Sequence, residues 1–269
     1  MRVVSTSAHI IGSGQTPCGK FPDATVASLA VEALDAALAD AGVDPERVEA
    51  IFFANALSGL ITGQECVRGQ VALRQTRYGG IPVFNVENAC ASGSTALNLA
   101  CQAIDAGAYQ TVAVVGSEKM SDPDRSLPIR ALAGAADVAL LDKTDSNHSV
   151  FMDSYAERAR RRISEQGWQA SDFARVSVKN RHHAAHNPGA QYRQQLTVDE
   201  VLASRMIAEP LTLPMCSPIG DGAAAVVVTG SPNGEHIGSV SGSAIIRLAS
   251  TSSTVSCWRY WAPGLCAAW

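Results

Sequence analysis

No run in this sequence approaches the ~18 uncharged apolar residues that a bilayer-spanning helix needs, so no membrane partner is expected. Nor is there a CxxC pair. The seven cysteines, Cys18, Cys66, Cys90, Cys101, Cys216, Cys257 and Cys266, are odd in number and scattered. In a chain of 269 residues that pattern argues against a disulfide framework and for free thiols in a reducing, cytoplasmic compartment. Charge is sparse too, at 17% of residues with a net of −4 and Lys and Arg dispersed, which argues against nucleic acid as a partner. The opening MRVVSTSAHIIGSG has one basic residue and no long apolar stretch, so it is not a secretory leader. The closing Cys266-Ala-Ala-Trp269 matches a prenylation pattern only formally, because Trp is an unusual last residue and no polybasic run precedes it. No internal repeat is evident.

What is present is apolar periodicity, with 46% of residues hydrophobic. Arg2 to Ile11 has strand character. Over 25–41, Val26, Leu29, Ala30, Ala33, Leu34, Ala37 and Leu38 fall on one helical face, and Gly42 stands where a helix stops. Asp44-Pro45 reads as a cap and turn. Ile51 to Ala56 and Ile81 to Glu87 read as strands, Ser92 to Ala106 as a helix closed by Gly107, and Thr111 to Gly116 as a further strand. Strands alternating with helices predict an α/β fold with helices on both faces of a sheet.

Residues 120–215 differ, holding most of the arginines and the clustered His182, His183 and His186. Helices are predicted near 154–166, 171–185 and 198–205, with Thr197 and Glu200 as a capping box for the last. Asp221 to Gly230 then reads as a fully buried strand. The expected organisation is a core of 1–119 and 216–250, a mostly helical lid of 120–215, and an atypical tail of 251–269. Three of the four tryptophans lie in the last twelve positions, without helical or strand period, so the tail is expected to be non-native or disordered.

The informative motif is Val86-Glu87-Asn88-Ala89-Cys90-Ala91-Ser92-Gly93-Ser94. A strand enters a turn, a cysteine occupies it, and a helix begins at once. A helix N-terminus aimed at the sulfur favours thiolate over thiol. Small neighbours leave room for a substrate, and backbone N–H groups, that of Cys90 included, are candidate oxyanion donors. The competing reading is a small buried hydrophobe, the usual fate of a free cysteine. The two readings stand level on the residues alone.

Three motifs in order break the tie. Thr16-Pro17-Cys18-Gly19-Lys20-Phe21 is similar to the N-terminal signature of thiolases, Asn88-Ala89-Cys90-Ala91-Ser92-Gly93 resembles their nucleophile motif, and Asp221-Gly222-Ala223-Ala224-Ala225 resembles the strand closing their N-terminal half. Asn187-Pro188-Gly189-Ala190-Gln191 and Met215-Cys216-Ser217-Pro218-Ile219 resemble the sterol-carrier-protein-type, lipid-transfer-like branch. The resemblance implies the N-terminal half of a thiolase fold, a mixed five-stranded sheet covered by helices with a helical lid. It implies chemistry on acyl-CoA or 3-ketoacyl-CoA, with Cys90 carrying the acyl group as a thioester and coenzyme A entering as substrate, so that no cofactor and no metal are expected. Ser217 falls where the family has a serine touching the pantetheine arm. A homodimer is implied, or a partner covering the missing half.

The family draws its base and its proton donor from C-terminal segments, a Gly-Cys-Gly-His-Pro-like one among them, and neither segment occurs here. The resemblance therefore implies a truncated, impaired acyltransferase. The alternatives are a non-catalytic acyl-CoA-binding subunit, or a ketoacyl synthase or aldolase of the wider superfamily; Thr-Pro-Cys-Gly-Lys favours thiolase over synthase. The helix after Cys90, small and apolar nearly all round, is expected to leave one face uncovered.

Weaker signals are set aside. Gly14-Gln-Thr-Pro-Cys-Gly19-Lys20 nearly spells a phosphate loop, but Phe21 stands where Ser or Thr would hold Mg²⁺ and Pro17 lacks an N–H. His182, His183 and His186 invite a metal, yet no Glu, Asp or Cys completes the set nearby. Arg158, Arg160, Arg161 and Arg162 read as a solvated helix face.

Overall fold

Apolar periods become elements at close to the bounds they suggest. The computed structural model describes residues 4–137, 139, 150–230 and 246–250. In chain order the elements are β1 (Val4–Gln15), α1 (Val26–Ala41), β2 (Ala50–Ala54), α2 (Ser58–Thr62), α3 (Arg68–Leu73), β3 (Val83–Val86), α4 (Ser92–Asp105), β4 (Thr111–Glu118), α5 (Ser126–Ala133), α6 (Val150–Gln166), α7 (Ala170–Ala185), α8 (Val198–Leu202), β5 (Met206–Ala208), β6 (Leu211–Thr212), β7 (Gly222–Thr229) and β8 (Ile246–Ser250). The described residues form two units. One runs to Ser121 and resumes at Asp221; the other is Asp122–Gly220. The tail 251–269, with Cys257 and Cys266, lies outside the described residues.

The first unit is built on a mixed sheet ordered β3-β2-β4-β7-β1-β8. β2 is parallel to β3 and β4, while β7 is antiparallel to β4 and β1, and β8 is antiparallel to β1. Five of these strands make the expected mixed sheet, and β8 adds a sixth at its edge. Alternation sorts the side chains: Ile51, Phe53, Ala113, Val115, Ala225 and Val227 pack with α1, whereas Phe52, Val112, Val114, Val226 and Val228 pack with Ala96, Ala100, Cys101 and Ile104 of α4. Helices thus cover both faces, as the β-α alternation predicts.

α1 begins at a reciprocal cap. The Thr25 hydroxyl accepts from the Ser28 N–H (3.0 Å), and the Ser28 hydroxyl oxygen accepts from the Thr25 N–H (2.9 Å). It ends at Gly42, whose φ of 66° is the left-handed cap that glycine takes freely. Leu29, Leu34 and Leu38 are buried on the face between, each stabilising the fold by about 2 kcal/mol. Alternation puts Ile10 in the α4-side core and Ile11 in the α1-side core. A register shift in β1 between Ile10 and Gly12 turns Gly12 to the α1 side as well, where a Cβ would lie 2.5 Å from the Ala37 carbonyl oxygen. β1 then runs so close to α1 that a Cβ at Gly14 would lie 2.4 Å from the Ala33 carbonyl oxygen. The glycine that opened the phosphate-loop motif is therefore a strand residue paired with Ala225, serving close packing.

In the second unit α7 starts at a box between Gln169 and Asp172, and α8 at the expected box of Thr197 and Glu200. The Thr212 hydroxyl donates to the Val201 carbonyl (2.7 Å), and the Ser177 hydroxyl donates to that of Pro214. α8 stops at Leu202, short of the predicted 205, because the Arg205 carbonyl accepts from Leu213 and Met206 enters the β5–β6 pairing. Among the described residues no helix is long and apolar enough to cross a membrane.

Candidate active site

The strand directions gather the three motifs at one end of the first unit's sheet. The carboxyl ends of parallel β2, β3 and β4 lie there, where open α/β sheets bind ligands. Since β7 is antiparallel to β4 and β1 to β7, the start of β7 and the end of β1 share it. Segments 16–21, 55–58, 87–90 and 118–121 and Asp221 all emerge at this edge.

Cys90 sits in a short 3-10 turn, Ala89–Ala91, that runs straight into α4. It is exposed, so it is no core cysteine. Ala89, immediately before it, has φ of 44°, a left-handed conformation that costs a residue with a Cβ roughly 1 kcal/mol. The turn is pinned on every side. The Asn88 N–H donates to the Ser92 hydroxyl oxygen (2.8 Å), whose own proton goes to the Ala89 carbonyl (2.7 Å). The Ala89 N–H donates to Glu87 Oε1 (2.6 Å), and Asn88 Nδ2 donates to Thr95 Oγ1 (2.9 Å). Ser92 and Glu87 lay within the motif read from the sequence but were given no role there. A serine in the first position of the helix was the available signal.

The thiol itself departs from expectation. Partial burial pushes Cys90 up from the ordinary thiol range, and its own backbone N–H offsets only part of that rise. The helix N-terminus was expected to favour thiolate; the shift runs the other way, with desolvation as its largest cause. Burial raises Cys18 and Cys216 likewise.

Two carboxylates brace the same edge of the sheet. Asp221 has a fully buried side chain that accepts from Lys119 Nζ (2.8 Å), from the N–H groups of Phe21 (3.0 Å), Met120 (2.8 Å) and Ser121 (2.6 Å), and from the Ser121 hydroxyl. Burial alone would raise its pKa, but Lys119, Ser121 and the amides outweigh it and the net shift is downward. One carboxylate thus ties the 16–21 loop to the end of β4 and the start of β7. Glu118 accepts from the N–H groups of Ala56, Leu57 and Ser58, which is why β2 ends at Ala54 rather than Ala56. Burial drives its pKa up, and those amides and Arg68 pull partly back. Arg68 Nη1 donates to Asn55 Oδ1 (2.9 Å) and the Ala56 carbonyl (3.0 Å), and the Asn55 N–H reaches the Val86 carbonyl (3.3 Å). The ends of β2, β3 and β4 are locked together four residues before the nucleophile.

Ser217 belongs to the second unit, exposed in extended chain just after the turn Leu213–Met215. His182 and His183 lie in the last turn of α7 and His186 caps it, all three exposed. Among the described residues no group of three His, Cys, Asp or Glu is placed to hold a metal. Of the α6 arginines, Arg160 donates to the Glu209 carbonyl, Arg161 pairs with Glu165, and Arg162 covers the Trp168 ring.

A mixed sheet whose carboxyl edge presents a cysteine at a helix start defines a class, and comparison identifies it: the chain belongs to the thiolase family, with the thiolase N-terminal domain matched over residues 8–231. It is 37% identical over 220 residues to an acetyl-CoA acetyltransferase of Methanothermobacter thermautotrophicus, covering 81% of this chain and 56% of that one. It is 33% identical to the benzoylsuccinyl-CoA thiolase subunit BbsB of Thauera aromatica (82% and 54%), and 31% identical to human sterol carrier protein 2 (81% and 40%). The chain thus spans about half the length of these relatives. Among solved structures it is similar to an Ltp2-ChsH2(DUF35) aldolase (TM-score 0.62, 28% identity, 84% of this chain and 56% of that one). Its fold also matches human mitochondrial 3-ketoacyl-CoA thiolase (TM-score 0.61, 19% identity, 85% and 66%).

Proposed function

We propose that this chain carries the acyl-accepting half of a thiolase-type acyltransferase. Cys90 attacks the carbonyl carbon of an acyl-CoA, a new S–C bond forms, coenzyme A leaves as its thiolate, and the acyl group stays on Cys90 as a thioester. The observation that carries this reading is the exposed Cys90 sulfur next to its own N–H, at the sheet edge where the three family motifs converge. The mostly helical residues 120–215 are proposed as a lid inserted into the core of 1–119 and 216–250, and Ser217, two residues beyond that insertion, is proposed to touch the pantetheine arm. The segments from which the family draws its base and proton donor do not occur in this sequence, and a homodimer or a partner chain is the proposed source of both. Free cysteines in the described residues support a cytoplasmic setting.

A second reading has a specific observation behind it. One relative's name is that of a thiolase subunit, and one structural neighbour is an aldolase containing a second component. On that reading the chain binds acyl-CoA and pairs with a partner without turning over. The test is incubation with acetyl-CoA followed by intact-mass and peptide mapping. An acetyl adduct on Cys90, absent in Cys90→Ala, is expected; continuous release of coenzyme A would extend it to turnover. Absence of any Cys90 adduct up to about pH 9, where even a raised thiol begins to ionise, would refute acyl transfer and leave the binding-subunit reading.

A further inference from the structure

Around Cys90 nearly every backbone group is taken. The Asn88 N–H goes to Ser92 Oγ, the Ala89 N–H to Glu87, the Ala91 N–H to the Asn88 carbonyl (2.9 Å), and the Ser92 N–H to the Ala89 carbonyl. Among the described residues, the Cys90 N–H alone of amides 88–92 meets nothing but its own sulfur. That amide shares one planar peptide unit with the Ala89 carbonyl, and in a trans peptide the C=O and N–H point in opposite directions. Whatever fixes the carbonyl therefore aims the N–H. Two groups of Ser92, itself only 5% exposed, hold that carbonyl: the backbone N–H, and the hydroxyl at 2.7 Å, which alone also bonds the Asn88 N–H and so braces both sides of the turn.

We propose that Ser92 is a positioning residue for acyl transfer at Cys90: its hydroxyl clasps the Ala89 carbonyl and the Asn88 N–H, holding the Ala89–Cys90 peptide so that the Cys90 N–H stays open to the oxyanion. This inference rests on the acyl-transfer reading above. The clasp works against a real opposing force, because Ala89 at φ of 44° gains by relaxing to negative φ, which would swing that peptide plane away. Bonding the carbonyl also polarises the peptide and makes its N–H a better donor. Ser92 touches no substrate in this scheme; it acts through Cys90.

Two reagents separate aim from access. With 4-nitrophenyl acetate, Cys90 Sγ bonds the carbonyl carbon, the bond to nitrophenolate breaks, the thiol proton passes to solvent, and transient negative charge gathers on the carbonyl oxygen. Iodoacetamide alkylates the same sulfur with displacement of iodide and no oxyanion. In Ser92→Ala, acylation of Cys90, mapped by mass and compared with Cys90→Ala, is expected to fall about tenfold or more, toward the loss seen when an oxyanion donor is removed. Alkylation should stay within about threefold, and Ser92→Thr, which keeps the hydroxyl, should acylate nearly as wild type. Equal acylation in Ser92→Ala, or a parallel fall of acylation and alkylation, would overturn the proposal. Should Ser92→Ala not fold, as read by circular dichroism, a folded Ser92→Thr decides alone: retained acylation supports the clasp and selective loss refutes it. Wild type acylated by the ester but not by acetyl-CoA would remove the coenzyme A reading and leave the Ser92 comparison decided.

Discussion

At Cys90 two opposing effects meet on one sulfur. The start of α4 favours the anion, while the partly buried position favours the neutral thiol, and the balance falls on the neutral side. The consequence is a pH profile. A raised pKa means thiolate appears only at higher pH, so the midpoint for iodoacetamide alkylation of native Cys90 should lie above that of the same cysteine in the urea-unfolded chain. Peptide mapping across a pH series checks this, and a lower native midpoint would mean that the helix terminus dominates. The cysteine, its turn and the following helix were legible because strand, small residues and helix onset follow one another within nine positions. The direction of the pKa shift was not, because desolvation depends on what other segments cover.

At the scale of elements, the 16–21 loop and β4 and β7 are joined by the Asp221–Lys119 pair. Replacing Asp221 by Asn leaves the Lys119 charge, its side chain only 10% exposed, without its counter-ion. Breaking such a buried pair is expected to cost about 3 kcal/mol at pH 7. Because the native Asp221 pKa is depressed, its contribution is complete above the ordinary carboxylate range and is lost as pH falls from about 4 through the native value. The gap between wild type and Asp221→Asn in urea unfolding should therefore narrow on going from pH 7 to about pH 3. A gap that stays constant would show that the charge pair is not what Asn removes. Glu118 runs the other way: with its pKa raised, its contribution is greatest in acid and declines as pH rises through the native value. Sequence reading identified Asp221 as the head of a buried strand and missed the ion pair, since Lys119 lies 102 positions away.

For the molecule as a whole, apolar surface remains at the β3 edge, where among the described strands β3 pairs on one side only. Phe84, 43% exposed, stacks on Phe52 at 5.0 Å and meets the edge of Tyr109, and Leu99 on the outer face of α4 is 39% exposed. The outer face of α4 was expected to be left open, and Leu99 lies on it. Surface of this kind recruits either a second chain or dye. The isolated chain is expected to bind a hydrophobic dye and to self-associate in light scattering; a monodisperse monomer without dye binding would contradict that.

The sequence by itself determined the α/β alternation, the caps at Thr197 and Gly42, the nucleophile turn and the family, because each rests on neighbours within a few positions or on motifs that survive as strings. Only the tertiary structure decided that three motifs far apart in the chain, at 16–21, 88–93 and 221–225, meet at one sheet edge. It alone decided that a bulge turns both Ile11 and Gly12 toward α1, that Gly14 serves helix packing, and that Ser92 bonds the carbonyl behind Cys90. These follow from strand order and register, and from where buried polar atoms find partners, and both are settled by distances across the fold that a linear pattern does not contain.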